Sequence, residues 1–215
     1  MKKIIRKLLV MYALVAIVGI GASFAYLKDQ TEPLVNSFTS NRSIRIELKE
    51  PSWDGYQFGE EITGTPGSMV KPGYEDDITL GINRAKVYLP GDSINKNPTI
   101  KNVSKTDNAY VAFKLIFTNN EGLTITRAQF ESSYGKLNIG SEFEEVISDN
   151  GSLFIYNKVL NTEQSTTLFT KVDINKDIAL VNGKLPSFIV EATGYAVQDS
   201  IGFESAKAEL ITLAK

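Results

Sequence analysis

The chain has 215 residues, 42% hydrophobic and 22% charged, which is enough for a sizeable core in one domain or at most two small ones. Cys and His are both absent, and that excludes disulfides, thiolate nucleophiles, zinc–thiolate sites, imidazole bases and H-E-x-x-H helices. Without the first 25 residues the chain loses Lys2, Lys3, Arg6 and Lys7, and the remaining 19 basic against 25 acidic groups give no support to nucleic-acid binding.

At the N-terminus, "KKIIRK" is a basic stretch followed by the 15-residue apolar run "LLVMYALVAIVGIGA" and then Ser23-Phe24-Ala25. Small residues at Ser23 and Ala25 suit a signal-peptidase site with cleavage between Ala25 and Tyr26, so residues 1–25 are expected to be a signal peptide. The membrane is then met only transiently, during export. A competing reading keeps the segment as an anchor, since the uncharged run from Leu8 to Leu27 is about long enough to span a bilayer core. Gly19 and Gly21 weaken the helix just before the site and favour cleavage. In either case the remainder lies outside the cytoplasm, and a Cys-free chain of about 190 residues can fold there without staples.

Strand patterns dominate after residue 40. "SIRIELKE" sets Ile44, Ile46 and Leu48 against Arg45, Glu47 and Lys49, a period of two with one wet face. Residues 51–84 follow as a loop-rich insertion, marked by Pro51, Pro66, Pro72 and repeated glycines. Leu89-Pro90-Gly91-Asp92 fits a type II turn. "AYVAFKLIFT" places Val111, Phe113, Leu115 and Phe117 on one face. Asp149-Asn150-Gly151 reads as a hairpin turn into "SLFIYNKVL", and "TTLFTKVDI" and "SFIVEATGYAVQ" are two further strands. Phe203, Ala206, Leu210 and Leu213 recur at helical spacing and predict one short C-terminal helix lying against a sheet. No fixed-period repeat is visible. The pattern predicts an all-β protein, an antiparallel β-sandwich formed by residues 26–215 as a single domain.

Catalytic patterns fail on context. Ser93-Ile94-Asn95-Lys96 and Ser133-Tyr134-Gly135-Lys136 match S-x-x-K, and Ser148-Asp149-Asn150 matches S-D-N, but Ser93 sits in a turn region ahead of Pro98 and no K-T-G follows. Glu75-Asp76-Asp77 and Glu144-Glu145 lack the spaced ligand pattern of a calcium loop. Trp53, Tyr56 and Phe58 lie together in a Gly-rich segment, where they form either a binding surface for sugars or a cover for a core edge. The chain is expected to be neither an enzyme nor a holder of a cofactor or metal.

Several stretches resemble the TasA and camelysin family of Gram-positive bacteria. "FAYLKDQTEPLVNSFTSNRSIRIELKE" is similar to the mature N-terminus of that family, and "YLPGDSINKNPTIKNVSKTDNAYVAFKL" is similar to its Pro-Gly-Asp turn, its P-x-[IV]-x-N strand and its "AYV" strand. "FIYNKVLNTEQSTTLFTKVDI" and "GYAVQDSIGFESAKAEL" look like the C-terminal half of larger clostridial surface proteins with the same signal type. The resemblance implies a jelly-roll-like sandwich exported through a dedicated ER-type signal peptidase. It also implies a secreted subunit or accessory of the biofilm matrix, at the cell surface or beyond, with its own copies or homologous fibre subunits as partners. In such fibres the N-terminal strand of one subunit completes the sheet of the next, and Tyr26, Leu27, Leu34, Val35 and Phe38 are the apolar residues here that would do so. The simpler reading makes this segment an ordinary first strand or tail of its own monomer. A further alternative is a monomeric adhesin or glycan- or protein-binding module using Trp53 and its neighbours. Metalloprotease activity described for some camelysin-like proteins does not carry over, because no His is present to hold zinc.

Overall fold

The computed structural model describes residues 44–148 and 151–215. Their strands are β1 (Ile46–Lys49), β2 (Ser93–Asn95), β3 (Thr99–Asn102), β4 (Ala109–Thr118), β5 (Thr124–Ile125), β6 (Gly135–Leu137), β7 (Phe143–Ser148), β8 (Gly151–Tyr156), β9 (Ser165–Thr167), β10 (Lys171–Ile174) and β11 (Ile189–Gln198). Short helices α1 (Pro51–Asp54), α2 (Gly81–Ala85) and α3 (Arg127–Ser133) precede the longest, α4 (Phe203–Leu213). Every strand pairing is antiparallel, so the expected all-β antiparallel class with a C-terminal helix is met.

Strand β4 lies between β11 and β8, with β7 outside β8 and β5 pairing the end of β4. Phe113, Leu115 and Phe117 point to one side with no exposure, as their spacing predicts. On the opposite face Ala112 is small enough for α4 to pack closely, bringing Ala206, Leu210 and Ala214 against Leu153, Ile155 and Val197. The helix therefore buries Ala214 where the sequence pattern had placed Leu213, which stays 36% exposed. Lys114, on the same face of β4, donates from Nζ to the Ala214 carbonyl at 2.6 Å and satisfies an orphan acceptor at the helix end.

The remaining strands form two short sheets, β1-β3-β9 and β2-β10-β6. A single register nevertheless runs through both, pairing Ser93 with Asp173 at one end and Lys101 with Ser165 at the other. The ladder is interrupted at Pro98, which has no N–H to donate, while the flanking bonds Lys96 N–H to Thr170 and Leu168 N–H to Pro98 persist at 3.2 and 3.0 Å. The predicted strand "TTLFTKVDI" is thus two strands across a kink. Its consecutive Leu168 and Phe169, in the break between β9 and β10, are both buried.

Inner-facing Ile46, Ile100, Ile94 and Val172 from this ladder meet Phe113, Leu115 and Phe154 in one apolar cluster. Asn102, wholly buried, fixes the β3–β4 connection: its amide donates to the Asp107 and Leu160 carbonyls and its oxygen accepts from the Ser104 N–H. The Asn of the P-x-[IV]-x-N pattern is therefore a backbone clamp. Beyond Tyr156 the predicted "SLFIYNKVL" strand bulges out by two residues before Leu160 bridges back to Ala109.

Two turn expectations can be checked. Gly91 has φ 86° and Asp92 N–H donates to the Leu89 carbonyl, as a type II turn requires. The β7–β8 hairpin pairs Ser148 with Gly151, while Asp149 and Asn150 lie outside the described residues.

Helix α3 was not anticipated, although Thr126-x-x-Gln129 is a capping-box signature. The Thr126 hydroxyl accepts from the Gln129 N–H and the Gln129 side chain accepts from the Thr126 N–H. Phe130 is buried beneath the helix and stacks on Phe117 at 4.8 Å. Phe130→Ala should cost about 3–5 kcal/mol and Thr126→Ala about 1 kcal/mol in urea unfolding. Comparable losses for the two would contradict this packing.

Candidate functional site

The cleavage residues Ala25 and Tyr26 and the expected assembly residues Leu27, Leu34, Val35 and Phe38 lie outside the described residues. The aromatic group is described, and it turns inward. Tyr56 is only 3% exposed, with its hydroxyl 2.8 Å from Thr63 Oγ1. Trp53 is half-buried against the core and donates from Nε1 to the Gly67 carbonyl at 2.7 Å. Phe58 is half-buried. Trp53 and Tyr56 thus tie the 51–84 segment together, and the burial of Tyr56 corrects the binding-surface expectation at that residue.

Packing at Trp53 depends on a glycine. A Cβ on Gly81 would lie 1.7 Å from the Asn95 carbonyl oxygen and 2.7 Å from Trp53 Cε3, so α2 reaches the sheet only without a side chain there. Beside the ring sits a buried ion pair that the hydropathy pattern missed: Lys96 Nζ is 2.9 and 2.7 Å from the two Glu50 carboxylate oxygens and 4.7 Å above the Trp53 ring centroid. Lys49 is also buried, donating to the Glu60 carbonyl at 2.7 Å and lying 3.5 Å from Glu47. Asp54 completes the group, with Oδ1 accepting from the Tyr56 N–H at 3.1 Å. Burial pushes its carboxyl up to about 6, helped by Glu50 and opposed by the Tyr56 hydrogen bond, Lys96 and Lys49. Each charge thus has a partner, and the cluster ties the 51–84 segment to β1 and to the residue after β2.

The Ser–Lys patterns are separated in space. Ser93 donates to Asp173 Oδ1 at 2.7 Å, while Lys96 is committed to Glu50. Glu144 and Glu145 face different cations, Lys207 and Arg127. Among the described residues no group of three or more acidic side chains is arranged to hold a metal ion.

Among the described residues the largest sheet has two outer strands, β11 and β7. Among the described residues β7 pairs with β8 alone, leaving its other side without a strand neighbour. Its alternation sends Phe143 toward Phe113 and Val146 toward α4, whereas Ile147 is 76% exposed. Ile147 also borders a cleft of about 80 Å³ that lies on the paired side of β7, lined by Gly151 and Ser152 of β8 together with Thr124, Ile125, Thr126 and Gln129. The unpaired backbone of the outer side is the feature that can receive an extended segment. Nothing in the hydrophobic pattern marks this edge, because whether a strand is internal or outermost is set by distant pairings.

No protein-family model, characterised protein or solved structure matches this chain.

The buried charges have a measurable signature. Asp54 has its pKa raised above the ordinary 3.8, so the protonated form favours the fold. Its contribution is full below about pH 4 and is lost as pH rises through about 6, a change of about 3 kcal/mol at neutral pH. Asp54→Asn should keep the Tyr56 hydrogen bond, raise the melting temperature at pH 7 and flatten its pH dependence between 4 and 7. Lys96→Met leaves Glu50 buried and unpaired and should cost about 3–5 kcal/mol; a loss under about 1 kcal/mol, the range of exposed pairs, would show that the pair is solvated.

Proposed function

We propose that this chain is an exported structural protein that joins an extracellular fibre by strand addition, with its body a jelly-roll-like sandwich and its mature N-terminal segment as the donor. The observation that carries this reading is the β7 edge, where six residues pair on one side only among the described residues and Ile147 is 76% exposed. Backbone groups of an added strand would supply affinity, and alternate side chains would supply specificity. The basic and apolar leader, with Ser23 and Ala25 at the right spacing, supports export and puts a new N-terminus at Tyr26. The absence of Cys and His from the sequence removes most catalytic routes and favours a role in assembly. The monomeric binding-module reading draws less support, since Tyr56 is buried and the Trp53 ring is occupied by Lys96.

The charges on β7 also bear on partner choice. Glu144 and Glu145 are neutralised by Lys207 and Arg127, so this edge does not repel an incoming strand through bare like charge. Ile147→Asp, at an exposed position, should keep the unfolding free energy within about 0.5 kcal/mol of wild type yet abolish filaments seen by negative-stain microscopy. Leu34→Asp combined with Phe38→Asp should do the same from the donor side. Filaments forming at wild-type rates in both variants would sink the proposal.

A further inference from the structure

Six of the twelve most exposed large apolar side chains among the described residues are Val87, Leu89, Leu123, Leu180, Val181 and Ile189. They belong to three loops, 86–92, 119–123 and 175–188, and to the first residue of β11. The fold brings these to one end. Phe188 packs on Phe130, Tyr134 and Tyr88, and Phe130 stacks on Phe117 near the end of β4. Tyr88 Oη donates to the Pro186 carbonyl, the Asn120 side chain accepts from the Ser187 N–H, and Asn175 N–H donates to the Tyr134 carbonyl. The loop bases are therefore held rigidly while their aliphatic tips project, with Val87, Leu89 and Leu180 each about 60% exposed.

Charge at this end differs from that of the whole chain. Arg84 and Asp92 neutralise each other at 2.8 Å. Lys86, Lys176 and Lys184 are exposed and form no ion pair with the described residues, Lys86 donating only to the neutral Asn83 side chain at 3.0 Å, and they outnumber the acidic Glu121 and Asp177. Separate aliphatic tips ringed by lysines suit an interface where apolar groups enter hydrocarbon and ammonium groups stay at headgroup level. A flat or grooved protein partner would instead favour a contiguous aromatic-rich patch.

We propose that this loop end docks peripherally on an anionic lipid surface, with Val87, Leu89 and Leu180 entering the acyl boundary and Lys86, Lys176 and Lys184 contacting the headgroups. The proposal is independent of strand addition at β7. Among the described residues no helix is long and apolar enough to cross a membrane.

Because the chain has no Cys, single Leu89→Cys, Leu180→Cys and Leu213→Cys variants of the full chain can each carry one environment-sensitive fluorophore. With phosphatidylglycerol vesicles, labels at 89 and 180 should shift to the blue and brighten, while the label on α4 at 213 should not. The Lys86→Gln/Lys176→Gln/Lys184→Gln background should need on the order of 100-fold more anionic lipid for the same signal. A chain that floats with the vesicles through its N-terminal run, yet shows no shift at 89 and 180, overturns the proposal. So does an equal shift on pure phosphatidylcholine, or a shift without vesicles that tracks protein concentration and marks self-association.

Discussion

Strand β4 is covered on both faces, and the remaining elements take their positions from it. Its odd-numbered residues carry the large side chains that meet the bent ladder of β2-β3 and β9-β10. Its even-numbered residues include Ala112, whose small size admits α4, and Lys114, whose ammonium closes the far end of that helix. A strand in this position has to be apolar on one face and tolerant on the other, and "AYVAFKLIFT" meets both conditions in ten residues. Burial of three Phe or Leu side chains with no exposure stabilises by several kcal/mol.

Much of this was legible in the sequence because period-two alternation is a local property. Val111, Phe113, Leu115 and Phe117 declare a face without reference to any partner, and Pro90-Gly91 declares its turn through the positive φ that glycine accepts. The helix over 203–213 was equally visible in Phe203, Ala206 and Leu210. What could not be read was set by pairing at a distance. The division of "TTLFTKVDI" follows from Pro98, some 70 residues upstream, and the looping-out after Tyr156 follows from the bridge to Ala109. Helix α3 was legible in principle, since Thr126 and Gln129 form its capping box, but the two apolar residues nearby gave too short a periodic signal.

The candidate site was less legible than the fold, for an electrostatic reason. Lys49, Glu50, Asp54 and Lys96 look like solvated charges in a one-dimensional pattern, and only the three-dimensional arrangement shows them buried against Trp53 and one another. Such a cluster holds its geometry through mutual pairing and is a poor place for turnover chemistry, because each group that could act as acid, base or nucleophile is already engaged. The 51–84 segment is thereby fastened to the sheets. On the outer strand β7, by contrast, the backbone groups of one side meet no described strand, and Ile147 is exposed.

The central claim is that export creates a new N-terminus which then works as a strand. Its most direct test is N-terminal sequencing of the secreted protein combined with electron microscopy of the same material over several days. The account predicts a sequence starting at Tyr26 and filaments that grow from it. A chain that retains residues 1–25, or one cut at Tyr26 that stays monomeric throughout, would contradict it.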